Sequence, residues 1–544
     1  MLARTFSVVA LLVTAFTFTP GADTSDSAAS AAGSPGTLML TLRSRTPSST
    51  EKETFDVLLK KEEWHPKKTA IIVCDMWDSH HCQNAAKRVE EIAPRMNLVL
   101  EKARSQGVTI IHAPSSCMAA YKDHPGRKRA QDAPKAATLP KDIGVWCYKI
   151  PSEEKGIYPV EQGDGGCDTE PEAQKAWEAK LKDMGRNPKA PWLKQIDALK
   201  IANEDYISDS GVEIWNVLQQ RGLANVILVG VHTNMCVLGR PFGLRQMAKN
   251  GKHVVLMRDM TDTMYNPNRW PYVAHFQGTD LIVQHIEKYV CPTITSDQIL
   301  GGAPFRFKDD VRPKVVVAIA EPEYDTPKTL PPLVQRVFVD QLGFEATILH
   351  GDNKKMEIPG FAKAVAKADL VVLSVRRLAP VPKDLEALKK HLDAGKPLMG
   401  IRTASHAFDA KGKFPEGHAE WVKFDPEVLG GNYKGHHGTG IIANIEVGTD
   451  LEAKPHPVLY GLKTPFPSKG SLYKTMPLAP SATPLLMGTI PNQQPECVAW
   501  VNTYKKAKVF YTSLGYREDF ENPQFVLLIH NAARWCTGMR VGKE

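Results

Sequence analysis

No Cys-x-x-Cys pair occurs in the 544 residues, which argues against a zinc ribbon or a thioredoxin-type redox site. Beyond the N-terminus, no apolar run approaches the length of a membrane span. No basic segment is interleaved with aromatic residues in the manner of a nucleic-acid surface. Clusters such as Lys60-Lys61 and Arg127-Lys128-Arg129 read as solvated faces. Neither sign of charge dominates, with a net +8 spread along the chain. No close internal repeat is present. The composition is that of an ordinary folded chain, long enough for roughly two to four domains.

The N-terminus pairs a short basic start, Met1-Leu-Ala-Arg4, with an apolar core and small residues up to Ala22. This is the pattern of a secretory signal peptide over 1–22, cleaved after Ala22 or among residues 28–32. A Ser/Ala/Gly-rich flexible segment, 23–37, follows. The mature protein is then expected to be exported, periplasmic or extracellular. Export permits disulfides. Of the nine cysteines, Cys147 and Cys167 flank a Gly/Pro-rich loop and form the expected pair. The odd count leaves a free thiol, and Cys236 is the natural one.

Apolar strand runs and amphipathic helix patterns alternate twice. The first series runs from about residue 70 to 292, interrupted by a long irregular stretch at 114–191. The second starts afresh at Lys314 and runs to about 537. A turn-rich linker, 301–313, lies between them. Alternation of this kind predicts two doubly wound three-layer α/β domains with mostly parallel sheets, over 38–300 and 314–544.

The most telling segment is Gly230-Val-His232-Thr-Asn234-Met-Cys236-Val237, after the apolar run 226–229. It predicts a strand, a tight turn and a helix over 236–250 with a cysteine at its start. The helix dipole and free N–H groups there favour the thiolate, the nucleophilic form. The alternative is a buried structural cysteine. A second strand, 70–75, ends in Asp75. Parallel strands turn their carboxyl ends toward one crevice, so Asp75 and Cys236 can meet there. A carboxylate beside a thiol can take its proton and pass it to a leaving amine.

These residues, with the strand from Gly251 to Asp259, carry a resemblance over about 68–290. The segment is similar to the isochorismatase-like cysteine hydrolases, the family of nicotinamidases and N-carbamoylsarcosine amidohydrolases. The resemblance implies an Asp–Lys–Cys triad, with Asp75 as base and Cys236 as nucleophile. Lys200 is the candidate for the lysine, with Lys194 as the alternative. It implies a cis peptide at Val231–His232 and an oxyanion hole from the N–H groups of His232 and Cys236. Trp77, Asp78, His81 and Asn234 are the expected substrate-binding neighbours. No cofactor is required by the chemistry. A divalent metal on Asp78 and His80 is the one addition the resemblance suggests; otherwise Asp78 caps the next helix and the histidines line the pocket.

The second series resembles the ThuA-like (trehalose-utilisation) domains, which share the class I glutamine amidotransferase-like fold. The marks are Gly400-Ile-Arg402-Thr-Ala-Ser-His406, Leu429-Gly-Gly-Asn-Tyr433-x-Gly-His436-His437 and Val509-Phe-Tyr-Thr-Ser-Leu-Gly515. No cysteine stands at 402–404, where that fold's nucleophile falls, so glutaminase chemistry is not expected. Tyr516 replaces a histidine common in the family. Arg402, His406, His436 and His437 would line a pocket for an anionic or polyhydroxylated ligand; alternatively Arg402 pairs with Asp409 or Glu420 and stiffens the turn. The resulting expectation is an exported cysteine-dependent amidohydrolase for a small amide or carbamoyl compound, joined to a domain for a small polar or sugar-like ligand. Its rival is a non-catalytic carbohydrate-associated binding protein built from two degenerate enzyme folds. The expected partner is a small molecule, with no nucleic acid and no membrane span; a homo-oligomer is left open.

Overall fold

Strand Thr69–Cys74 is buried at every position. It shows no polar alternation because helices cover both of its faces. The computed structural model describes residues 36–47, 55–448, 456–539 and 541. The expected signal peptide and almost all of the expected flexible segment lie outside them.

The first sheet comprises β1 (Leu38–Pro47), β2 (Phe55–Trp64), β3 (Thr69–Cys74), β4 (Thr109–Ala113), β5 (Tyr206–Ile207), β6 (Asn225–Val231), β7 (His253–Asp262) and β8 (Thr293–Ile294). Their order is β2-β1-β8-β7-β6-β3-β4-β5. From β8 to β5 every pair is parallel. The β1–β2 hairpin joins β8 antiparallel, so β2 rather than β1 forms the edge. One face packs on helix Gln83–Ser105, which contributes Val89, Ile92, Met96 and Leu100. Helices Gly211–Gln220 and His275–Tyr289 cover the other, with Ile214, Leu218, Ile282 and Ile286.

The second sheet holds β9 (Lys314–Ala320), β10 (Glu345–His350), β11 (Leu370–Val375), β12 (Leu398–Ile401), β13 (Ala443–Val447), β14 (Phe466–Ser468), β15 (Thr483–Thr489), β16 (Glu496–Tyr504) and β17 (Ala507–Thr512). Its order is β10-β9-β11-β12-β17-β16-β15-β13-β14. It is parallel from β10 to β17 and antiparallel beyond. The expected two-domain α/β architecture therefore holds, with an antiparallel half in the second sheet that the strand–helix alternation did not announce.

Two local features matter. The helix expected over 236–250 is broken. A π-helical turn covers Thr233–Val237, and a regular helix resumes only at Leu244–Lys249. Pro241 and Gly243 lie in the break; proline lacks the N–H a helix needs and glycine resists its order. The linker 301–313 also makes contacts with the first domain. Phe307 stacks on Phe276 and meets Phe305 edge to face, and Asp259 accepts the Phe305 N–H.

Candidate active site

The crevice forms where β3 and β6 end. Gly230, at φ +107°, lies so close to β3 that a Cβ there would meet the Cys74 carbonyl oxygen at 2.0 Å. Only glycine permits this approach. It sets the turn carrying Cys236 beside the residue that follows β3. That residue, Asp75, is fully buried and takes φ +47°, a left-handed conformation costly for a non-glycine residue. The Val231–His232 peptide is cis, at the position the resemblance implied.

Asp75 is held from three sides. Its Oδ1 accepts the Ser115 N–H at 2.7 Å. Its Oδ2 accepts Arg240 Nε at 3.0 Å. The Cys236 thiol lies against it. Burial pushes the Asp75 carboxyl up, while Arg240 and the two hydrogen bonds oppose that rise. Burial also pushes the Cys236 thiol well above its ordinary range, and the Asp75 charge adds to the effect. The thiolate expected from the helix start is thus not the resting form. Cys236 rests as a thiol aimed at a carboxylate, 7% exposed.

Arg240 is the residue that the sequence reading missed. It comes from the break after the π-turn, one turn beyond Cys236, and its guanidinium lies over Trp146 at 5.4 Å. Lys200 does not reach the crevice. It is exposed, and its Nζ donates to the Asp197 carbonyl at 2.9 Å. Lys194 pairs with the Asp197 carboxylate at 2.7 Å. Neither can serve Asp75. At the end of β5, the strand beside β4, stand Ser208 and Asp209, tied to Glu213 and the Ser116 N–H. An arginine following Cys236 sits where a strand-end lysine was expected, and the sequence signal for it was Arg240-Pro241 at the helix break.

Trp77 and Trp192 stack at 4.3 Å and 11° and wall one side, with Trp77 Nε1 bonded to the Ser115 carbonyl. His80 lies 4.1 Å from His81 and 4.7 Å from His232, ring to ring. Burial pushes His232 down to about 3, so it stays neutral. The pair Asp78–His80 does not fit a divalent metal. Asp78 gives one oxygen to the Leu193 and Lys194 N–H groups and the other to Arg186, and His80 Nδ1 accepts the Cys82 N–H. Among the described residues no group of three or more His, Cys, Asp or Glu is arranged to hold a metal. Nor is Asn234 free for a substrate: its amide bonds both backbone atoms of Met264. The expected Cys147–Cys167 disulfide is not formed. Both are free cysteines, and Cys147 instead donates to the Lys149 carbonyl.

A second crevice opens at the ends of β9, β11 and β12. Asp325, Arg377 and Arg402, each following one of these strands, all take positive φ. Arg402 is only 2% exposed. It donates to the Ser513 carbonyl at 2.7 Å and to Ser471, with the Tyr324 and Tyr473 rings at 4.2 and 4.6 Å. It pairs with neither Asp409 nor Glu420; Arg377 takes Asp409, and Glu420 accepts the Gly412 N–H. Tyr516 lies over the same guanidinium at 5.7 Å. His406 stacks on Tyr433 at 4.5 Å. Burial, with Arg377, Arg376 and Arg402 nearby, pushes it down to about 3. His436 is exposed and His437 faces Glu496 at 3.5 Å. They stand beyond Tyr473, outside the group around His406.

No curated protein sequence matches this chain. Among solved structures, a cysteine hydrolase from Pseudomonas syringae pv. phaseolicola is 18% identical, over 43% of this chain and 92% of that one, with a TM-score of 0.27. N-carbamoylsarcosine amidase from Thermoplasma acidophilum is 13% identical, over 37% of this chain and 87% of that one, at 0.20. A ThuA-like protein from Bacteroides uniformis is 17% identical, over 43% of this chain and 95% of that one, at 0.33. Residues 314–536 match the family model described as Trehalose utilisation (ThuA).

Proposed function

We propose that the first domain is a cysteine-dependent amidohydrolase for a small amide or carbamoyl compound. The observation that carries this reading is the Asp75 carboxylate, placed between the Cys236 thiol and the Arg240 guanidinium. Asp75 takes the thiol proton as the sulfur attacks the substrate carbonyl. The N–H groups of His232 and Cys236 receive the oxyanion. Asp75 returns the proton to the leaving amine, which leaves a thioester on Cys236. A water, deprotonated by Asp75, then releases the acid. Arg240 keeps Asp75 charged in a site that burial would otherwise neutralise. The stacked Trp77 and Trp192 and the small exposure of Cys236 favour a small substrate.

The second domain, in this reading, binds a small anionic or polyhydroxylated ligand. Arg376 and Arg377 supply planar cationic forks at the crevice mouth, Tyr433 and Tyr516 supply flat walls, and neutral His406 supplies a proton acceptor. Arg402 serves as the pillar behind them. The whole protein acts after export. The experiment is an ammonia-release assay over small amides, ureides and carbamoyl compounds, with wild type and Cys236→Ala in parallel. Release by wild type alone supports the reading. No release from any compound moves the protein to the binding-protein alternative.

A further inference from the structure

Two cysteines with no part in that chemistry meet at the start of the first long helix. Cys82 is the N-cap of helix Gln83–Ser105 and is fully buried. Cys167 is half-buried and packs against it, together with Ala85 and Met264. The two side chains pack in one cluster although distant in the chain, and Gln174 joins their segments by accepting both the Cys167 thiol and the Gln83 N–H.

The backbone on both sides is braced. Thr169 Oγ1 lies 3.3 Å from the Cys82 sulfur and accepts the Asn84 N–H at 3.1 Å. Asn84 Nδ2 donates to the Asp168 carbonyl at 3.1 Å, and Arg88 clasps the Asp168 carboxylate. Gln174 accepts the Cys167 thiol at 3.6 Å and donates to the His81 carbonyl at 2.8 Å. Trp177 Nε1 donates to the His80 carbonyl at 2.9 Å. The segment around Cys167 is thus laid on the His80–His81 wall of the first crevice, with Cys167 packed on Cys82.

We propose that Cys82 and Cys167 are a disulfide-forming pair, and that oxidation ties the segment walling the Asp75–Cys236 crevice to the helix beneath it. The Cys167 contact and the Thr169 hydroxyl hold the Cys82 thiol below the ordinary thiol range, a helix N-terminus acts in the same direction, and the same contact with burial pushes the Cys167 thiol up. Cys167, the accessible member, exchanges with a small-molecule disulfide. It passes its proton to the Cys82 thiolate, forms a mixed disulfide and releases one external thiolate, which takes that proton from Cys82. The Cys82 thiolate then attacks the Cys167 sulfur and displaces the second thiol as thiolate. Two protein thiols are oxidised and one external disulfide is reduced to two thiols, so the exchange balances.

The test uses the full chain, reduced with dithiothreitol or exposed to oxidised glutathione. Each sample is then denatured, alkylated with iodoacetamide, digested with trypsin and analysed by mass spectrometry. Oxidation should lower the number of alkylated cysteines by two and link peptides 69–87 and 156–175, with fragment ions placing the bond on Cys82 rather than Cys74. In Cys82→Ser, Cys167 should stop at the glutathione mixed disulfide; in Cys167→Ser, the alkylation count should not change. Full alkylation of both cysteines after oxidation, or a link from Cys167 to any other cysteine, overturns the proposal.

Discussion

Arg240 Nε donates to Asp75 Oδ2 at 3.0 Å, from a backbone break one turn beyond Cys236. The cation that steadies the buried carboxylate therefore travels with the nucleophile's own turn, not with a separate strand. Arg240→Ala removes the largest influence that counters burial at Asp75, leaving only Ser115 and Cys236 against it, and its pKa rises further. We expect kcat/KM to fall by about a hundredfold, the scale on which a positioned base contributes, and the acid-side limb of the pH profile to move to higher pH. Arg240→Lys should recover part of the rate. A pH profile that keeps its limb in Arg240→Ala would separate Arg240 from Asp75's ionisation.

Lys200 and Lys194 are bystanders. Both spend their charge on Asp197 at the surface. Exposed contacts of this kind contribute about 0–1 kcal/mol. Lys200→Ala and Lys194→Ala should keep the wild-type kcat/KM and melting temperature. Loss of activity in either, with the fold intact by circular dichroism, would restore a lysine to the site.

Glu153 anchors the long 114–191 stretch to the domain through buried Arg245 and His285, at 2.8 and 2.9 Å. Burial raises its pKa, but the hydrogen bonds from His285 and Arg245 outweigh that and hold it at about 2. A depressed carboxyl stabilises the fold above its unfolded pKa of ~4.3 and loses that contribution as pH falls toward the folded value. Urea unfolding of wild type should weaken across this window, and Glu153→Gln should lack that component. At neutral pH the variant should lose on the order of 3 kcal/mol, because Arg245 is left buried without its partner. Equal stability of the two proteins at pH 7 would refute this.

Arg402 and His406 divide support from binding in the second domain. Arg402→Ala opens a cavity and frees the Ser513 carbonyl in the interior, a loss of roughly 3 kcal/mol or more. His406→Ala should leave the melting temperature within a few degrees and weaken binding in a thermal-shift screen of sugar acids and sugar phosphates. A stable Arg402→Ala would contradict the pillar role.

The meeting of Asp75 and Cys236 was legible because β3 and β6 announce themselves as apolar runs. Parallel neighbours also turn their ends the same way, and Gly230 marks the close approach. Arg240 was not legible. It depends on Pro241 and Gly243 breaking a helix whose periodicity otherwise runs on to Asn250. Lys200 was placed by spacing alone, and spacing along an irregular stretch carries no direction. The cysteine reading failed in the same way: Cys147 and Cys167 share a loop, but Cys167 meets Cys82 through space. Resting ionisation was misjudged because helix-end electrostatics were weighed without burial, which dominates at Cys236.

The most direct measurement is covalent trapping. p-Nitrophenyl acetate, a small activated acyl donor, is mixed with wild type, Asp75→Asn and Cys236→Ala, and nitrophenolate release is followed together with mass spectrometry of the acid-quenched protein. We expect wild type to show a burst and to carry one acetyl group on Cys236, Asp75→Asn to acetylate far more slowly, and Cys236→Ala to show no burst. An acetyl group on another residue, or an unchanged burst in Asp75→Asn, would contradict a thiol nucleophile activated by Asp75.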